Sequence, residues 1–141
     1  MDWTNLPNGQ ATVNMNHIKN PQRNALLNAK MAQTPNGSGV GPDGVFRDPW
    51  GTPYIISFDL NYDEKTRDAF YRNQAVSLDP TARNPQSGFN GLFNSVDASG
   101  AGNHFEGTGG VAVWSAGPDK KIDPNSKANV GVNKDNVLSW K

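Results

Sequence analysis

The stretch Asp48-Pro49-Trp50-Gly51-Thr52-Pro53-Tyr54-Ile55-Ile56-Ser57-Phe58-Asp59 decides the fold. Pro49 and Pro53 fix the backbone on either side of a tight turn, and Gly51 accepts a backbone angle that other residues resist. Asp48 is placed to close the turn through its own backbone, and Trp50 to lie back over a sheet. Beyond the turn the residues alternate. Tyr54, Ile56 and Phe58 share one face and Ile55, Ser57 and Asp59 the other, which is the period of a strand. With Val45-Phe46-Arg47 as a short strand on the near side, the whole reads as a β-hairpin.

Downstream, Gly110-Val111-Ala112-Val113-Trp114-Ser115 is the second strong strand, with Val111, Val113 and Ser115 on one face and Ala112 and Trp114 on the other. An irregular run from Gly117 to Lys134 follows, and Val137-Leu138-Ser139-Trp140 is apolar enough to dock on the core. Upstream, Asn20 as N-cap and Pro21 at the first helical position predict a short helix over Gln22 to Ala32. Leu27 and Met31, with Leu26 and Ala29 beside them, form its apolar stripe, and Thr34-Pro35-Asn36-Gly37 ends it. Such a stripe is the packing face of a structural helix.

Residues 1–19 are polar and without period. Trp3 and Leu6 before Pro7 suit the last turn of a helix stopped by proline, so the chain reads as beginning inside a longer protein. Between Leu60 and Gly109 the period is lost, apart from a helical turn or two at Glu64 to Tyr71. The stretch 60–109 is expected as a loop insertion pinned by Phe89, Leu92, Phe93 and Phe105; a functional loop, partial disorder and a misread element are its alternatives. The expected architecture is α+β in one domain over 1–141. N-terminal helix material packs on a small antiparallel sheet of three or four strands with long irregular loops.

Composition narrows the function. The mean hydropathy of −0.69 comes from turn-forming residues rather than charge, with 15 Gly and 10 Pro beside only 18% charged residues. Four Trp, six Phe and three Tyr are too many for a disordered chain. Thirteen basic and thirteen acidic residues are scattered without a cluster, which excludes the basic field that nucleic acid or an anionic membrane surface requires. The absence of cysteine excludes disulfides, thiolate nucleophiles and Cys-based zinc sites. No apolar run reaches the ~18–20 residues of a membrane span. His17 and His104 stand apart in polar loops, and no nucleophile elbow, phosphate loop or dinucleotide fingerprint is present, so the chain is not expected to be an enzyme.

Three segments, in this order, resemble the major pseudopilin of type II secretion and its relatives in the type IV pilin-like superfamily. Asp48-Pro49-Trp50-Gly51-Thr52-Pro53-Tyr54 is similar to the family's hairpin turn. Val113-Trp114-Ser115-Ala116-Gly117-Pro118-Asp119 is similar to its strand running into a Ser-x-Gly-x-Asp loop, and Asp135-Asn136-Val137-Leu138-Ser139-Trp140 to its Trp-ended tail. The resemblance covers residues 20–60 and 110–141. It implies an N-terminal helix, missing here, that anchors the protein in the inner membrane of a Gram-negative bacterium with this domain in the periplasm. It also implies processing of the precursor by prepilin peptidase and a helical filament of copies of itself. That filament works with minor pseudopilins and inner-membrane secretion components to drive folded proteins across the outer membrane.

The resemblance further implies calcium, bound in the loop between the last strand and the terminal Trp segment. Asp119 and Asp135 match the family's motif. Asp123 and Asn136 complete the side-chain set, with backbone carbonyls around Ala116 and Ser139. Calcium takes roughly six to eight oxygen ligands, which such a loop can offer. Lys120-Lys121, and Pro124-Asn125-Ser126-Lys127 where the family has glycines, depart from the pattern, and the same Asp and Asn residues read equally as turn caps. A second candidate is Asp59, Asn61 and Asp63, spaced as the opening of a calcium loop. Glu64 occupies the glycine position and Phe70 the terminal acidic one, so the stretch reads as an irregular ion site or as a strand end capped by its own Asp. The function expected is a structural subunit of the pseudopilus. The alternative is a minor pilin or adhesin-type binding module presenting the 60–109 loop to a carbohydrate or protein ligand.

Overall fold

In a computed structural model, which describes residues 4–5, 9–25 and 27–141, the Asp48 carboxylate is the centre of the deciding turn. Its Oδ1 accepts the backbone N–H of Trp50 at 2.9 Å and of Thr52 at 2.8 Å, while Asp48 N–H reaches Thr52 O and Gly51 N–H reaches Asp48 O. Gly51 takes φ +89° to permit this, and Trp50 stays exposed. An Arg47–Pro53 bridge and a bond from Tyr54 N–H to Phe46 O hold the turn, with the Phe46 and Tyr54 rings 5.0 Å apart. The expected hairpin of 45–47 with 54–59 does not form: Phe46–Arg47 pairs with Gly39–Val40, and Ile55–Phe58 with Val111–Ser115.

The chain divides into two compact units, Met1–Tyr54 and Ile55–Lys141. In the first, β1 (Gly39–Val40) pairs antiparallel with β2 (Phe46–Arg47). The helix expected over Gln22 to Ala32 does not form. Asn20 and Pro21 open a single turn, closed by Arg23 N–H on Asn20 O, and Arg23 then enters the left-handed region at φ +56°. The Asn20 side chain holds both the N–H and the C=O of Asn24, so it locks this turn rather than capping a helix. Further on, Ala32 N–H bonds Val40 O and Val40 N–H bonds Lys30 O, a parallel bridge that takes the residues around Met31 as extended chain. A helix this short needs a buried face to persist, and Leu27 stays exposed. Leu26 and the Trp3-Leu6-Pro7 signal lie outside the described residues.

The second unit is mostly β, with small antiparallel sheets and very little helix. Its strands are β3 (Ile55–Phe58), β4 (Lys65–Thr66), β5 (Phe93–Asn94), β6 (Phe105–Thr108), β7 (Val111–Ser115) and β8 (Val137–Leu138). They form sheets of order β3-β7-β8 and β4-β6-β5. Within 64–71, Lys65–Thr66 forms a strand and a single turn follows it, closed by Arg72 N–H on Asp68 O; the one α-helical segment among the described residues is α1 (Gln74–Ser77). No long N-terminal helix is present among the described residues, and none of their helices is long and apolar enough to cross a membrane.

The register Ile55–Trp114, Ile56–Val113, Ser57–Ala112, Phe58–Val111 separates the two faces of the first of these sheets. Ile55, Ala112, Trp114 and Leu138 face the core; Ile56, Phe58, Val111 and Val137 are each at least half exposed. The stretch 60–109 supplies Phe70, Tyr71, Val76, Leu92 and Phe105 to that core. Tyr71 stands edge-on to Phe70, Trp114 and Trp140, with centroids 5.0–5.3 Å apart. Full burial of a side chain such as Phe105 stabilises by about 1.5–3 kcal/mol.

Under the rings lies a buried carboxylate. Asp68 Oδ1 accepts the N–H groups of Phe70 and Tyr71, and Oδ2 accepts Ser57 Oγ at 2.7 Å and Trp114 Nε1 at 3.0 Å. One charge, 3% exposed, thereby ties β3, β7 and the 68–71 turn together through four donors.

Candidate cation site in the C-terminal loop

The site is built where β7 ends. Ser115 Oγ accepts Gly117 N–H, and Gly117 turns the chain at φ +71°. A Cβ on Gly117 would sit 2.2 Å from the carbonyl oxygen of Asp135, so only glycine allows the two loop segments to approach this closely. The other side is fixed by β8, with Trp114 opposite Leu138 and Ser115 opposite Val137. Ser139 adds two bonds to Val113, its N–H to the carbonyl and its Oγ from the amide. The tail is therefore a sheet strand, and its pairing draws Asp135 and Asn136 to the Gly117 turn.

Asp119 and Asp135 are brought together, the Asp119 N–H reaching Asp135 Oδ2 at 3.4 Å. Asn136 is buried and donates from Nδ2 to Tyr71 Oη at 2.8 Å. Burial raises the Tyr71 phenol to about 12, the Asn136 bond opposing it in part, so that hydroxyl stays protonated. Two acceptors are left over: Asp135 Oδ1 and Asn136 Oδ1 are buried without a hydrogen-bond partner. An oxygen acceptor withdrawn from water and given no donor costs about 1–3 kcal/mol, more when charged. A hard cation coordinated by both oxygens would remove that cost.

Asp123 is placed otherwise. Its Oδ1 accepts Asn125 N–H and its Oδ2 accepts Ser126 Oγ at 2.6 Å, and these bonds hold its carboxyl below the usual aspartate range. Asn133, 1% exposed, clamps the Asp123 backbone by accepting its N–H and donating to its C=O. Asp123 thus anchors a turn, each of its oxygens already taking one donor of that turn. Lys120 and Lys121 are exposed, and Asp119 Oδ1 takes the Lys121 N–H. Among the described residues no group of three or more His, Cys, Asp or Glu gathers around one point. The fit to a cation accordingly rests on Asp135 Oδ1 and Asn136 Oδ1, the two buried oxygens without a donor.

The second sequence candidate uses its oxygens differently. Asp59 Oδ1 accepts the N–H groups of Asn61 and Tyr62, and Oδ2 that of Glu64 at 2.8 Å. Tyr62 and Glu64 adopt φ of +59° and +61°, turning their amides inward. Asp63 Oδ1 accepts Lys65 N–H, and the Asn61 side chain together with that amide holds the Asp63 carboxyl low. Asp59, Asn61 and Asp63 lie on one loop, each engaged with it.

Two groups went unread in the sequence. Asp68 carries no motif, although an Asp two residues before an aromatic pair is the local signal of a carboxylate that caps a turn into the core. Glu106, 8% exposed on β6, joins Lys65 and Arg67 from one segment and Ser95 from another. The chain matches no family model, and no curated protein or solved structure is significantly similar to it.

Proposed function

We propose that the chain is the extracytoplasmic head of a pilin-like filament subunit, of the kind that forms the pseudopilus of type II secretion. In this reading it is a structural subunit rather than an enzyme. An inner-membrane helix preceding the head, released by prepilin peptidase, packs in the filament core, while heads of successive copies meet side by side in periplasmic space. Such contacts are heterologous and repeat without closing, which builds a filament. Minor pseudopilins and inner-membrane secretion components are its partners, and growth of the filament pushes folded cargo outward.

The observation that carries the reading is the pairing of β8 with β7. Two of the three family-like segments, 113–119 and 135–140, are adjacent strands that meet at the Gly117 turn. The outer face of the same sheet supports it. Ile56 and Val113 lie opposite one another there, with half-exposed Val137 nearby, an apolar surface suited to a neighbouring helix or subunit.

The complete precursor provides the test. It should carry an apolar span ahead of the head, be shortened by prepilin peptidase and be recovered in sheared filaments. A full-length protein that stays soluble and unprocessed would sink the reading.

We also propose that Asp135 and Asn136, with Asp119 at the mouth, hold calcium. Bound calcium would stiffen the Gly117 turn against the tail. At a hundredfold excess over Kd it would stabilise the head by about 2.7 kcal/mol, a rise in melting temperature of roughly 5–15 °C for a chain of this size. Equal melting temperatures in millimolar calcium and in EDTA would remove calcium from the proposal and leave the filament reading standing.

A further inference from the structure

The outer face of the sheet β4-β6-β5 carries a polar cluster with no part in the filament reading. Glu106 lies at its centre. Its Oε1 accepts Ser95 Oγ and has Lys65 Nζ at 3.4 Å, and its Oε2 accepts Arg67 Nη2 at 2.8 Å. Burial opposes ionisation of Glu106, but the bonds from Ser95 and Arg67 outweigh it and hold the carboxyl below the ordinary glutamate range. Two clefts flank this group. One, of about 290 Å³, has Phe58 and Leu60 as its wall and Asp63, Lys65 and Arg67 around Glu106. The other, of about 180 Å³, has Phe93 beside Lys65, Ser95 and Glu106. Both are far larger than the space of a single water.

The charges around the clefts select the ligand. In the first, Lys65 and Arg67 face Asp63 and Glu106; in the second, Lys65 faces Glu106. Each set is formally neutral. A phosphate or carboxylate drawn to the cations meets the two acids at the same range, and a cation meets the reverse. Donors and acceptors fixed side by side instead match a hydroxyl group, which gives one hydrogen and accepts others. Bonds to charged partners are the stronger ones, and a cluster already held by its own bonds loses little freedom on binding. The walls complete the match. Leu60 is 85% and Phe58 59% exposed, large apolar surfaces of the sort that cover the C–H face of a ring.

We infer that the paired clefts beside Glu106 bind a neutral saccharide. Asp63 and Glu106 Oε2 accept from ring hydroxyls, Lys65 and Arg67 donate to them, and Phe58, Leu60 and Phe93 lie against the C–H faces. This inference does not depend on the filament reading, and it gives the binding-module alternative a definite place on the fold.

Titration of ¹⁵N-labelled protein with maltotriose, cellotriose and chitotriose, each to about 20 mM, tests it in the millimolar range expected of one shallow site. At least one sugar should give saturable shifts at amides of residues 58–67, 93–95 and 105–108. Leu60→Ser, at an exposed position, should weaken binding about tenfold, equivalent to 1.4 kcal/mol, with otherwise unchanged spectra. The inference is overturned by saturable shifts with none of the three, by shifts confined to other amides, by undiminished binding in Leu60→Ser, or by tighter binding of inorganic phosphate at the same amides.

Discussion

The two acid-rich loops of the second unit, 59–64 and 115–136, offer nearly the same ligand types, yet their oxygens end in opposite states. Around Asp59 three backbone amides fill the carboxylate, so the loop folds inward on its own side chain. Around Asp135 the chain is held by strand pairing and the Gly117 turn, and two oxygens are buried with no donor. Whether an aspartate is a cap or a ligand is decided by how many amides the backbone turns toward it. Asp68 is the buried extreme of the first kind, and Asp135, whose Oδ1 is buried without a donor, is the one proposed for the second.

Four measurements separate the two kinds of aspartate. The largest effect is expected at Asp68. Asp68→Ala leaves Ser57 Oγ, Trp114 Nε1 and two amides without their acceptor, and urea unfolding should record a loss of about 3 kcal/mol or more. Asp68→Asn, which keeps an acceptor, should lose less. Next is the calcium increment of about 2.7 kcal/mol at a hundredfold excess over Kd. Thermal melting should show it vanish in Asp135→Ala and persist in Asp59→Ala; the reverse pattern would exchange the roles of the two loops. Third, Asp59→Ala should itself cost about 1–2 kcal/mol whether or not calcium is present, by releasing three amides.

The smallest effect is in acid. Bonds from Ser126 and Asn125 lower the folded-state carboxyl of Asp123 below its unfolded value. Its contribution is therefore complete above the ordinary aspartate range and is lost as pH falls through the lowered folded value. Stability measured against pH should fall less steeply there in Asp123→Asn.

The proline-braced turn and both long strands were legible in the sequence, because Asp48, Pro49, Gly51 and Pro53 act on neighbouring backbone and strand alternation is local. The helix over 22–32 was misjudged because propensity is a weak prior. The bridge from Met31 to Val40 and the Asn20 lock on Asn24 outweigh it. The stretch 60–109 gave no period since its core residues come from turns and two-residue strands, too short to repeat. For the candidate site, motif put Asp119 and Asp135 in one loop, and the pairing of β7 with β8 sets their segments side by side. The turn that Asp123 closes with Asn125 and Ser126 was not legible, because loop composition does not encode which donors turn inward.

The Asp68–Trp114 bond spans 46 residues and the Tyr71–Asn136 bond 65. Contacts of such sequence separation form only after large loops have closed, which slows folding relative to chains with local contacts. The aromatic cluster around Tyr71 therefore completes late. Until Asn136 and Trp140 arrive, part of that cluster faces water, and a nascent chain in this state is prone to association with other copies.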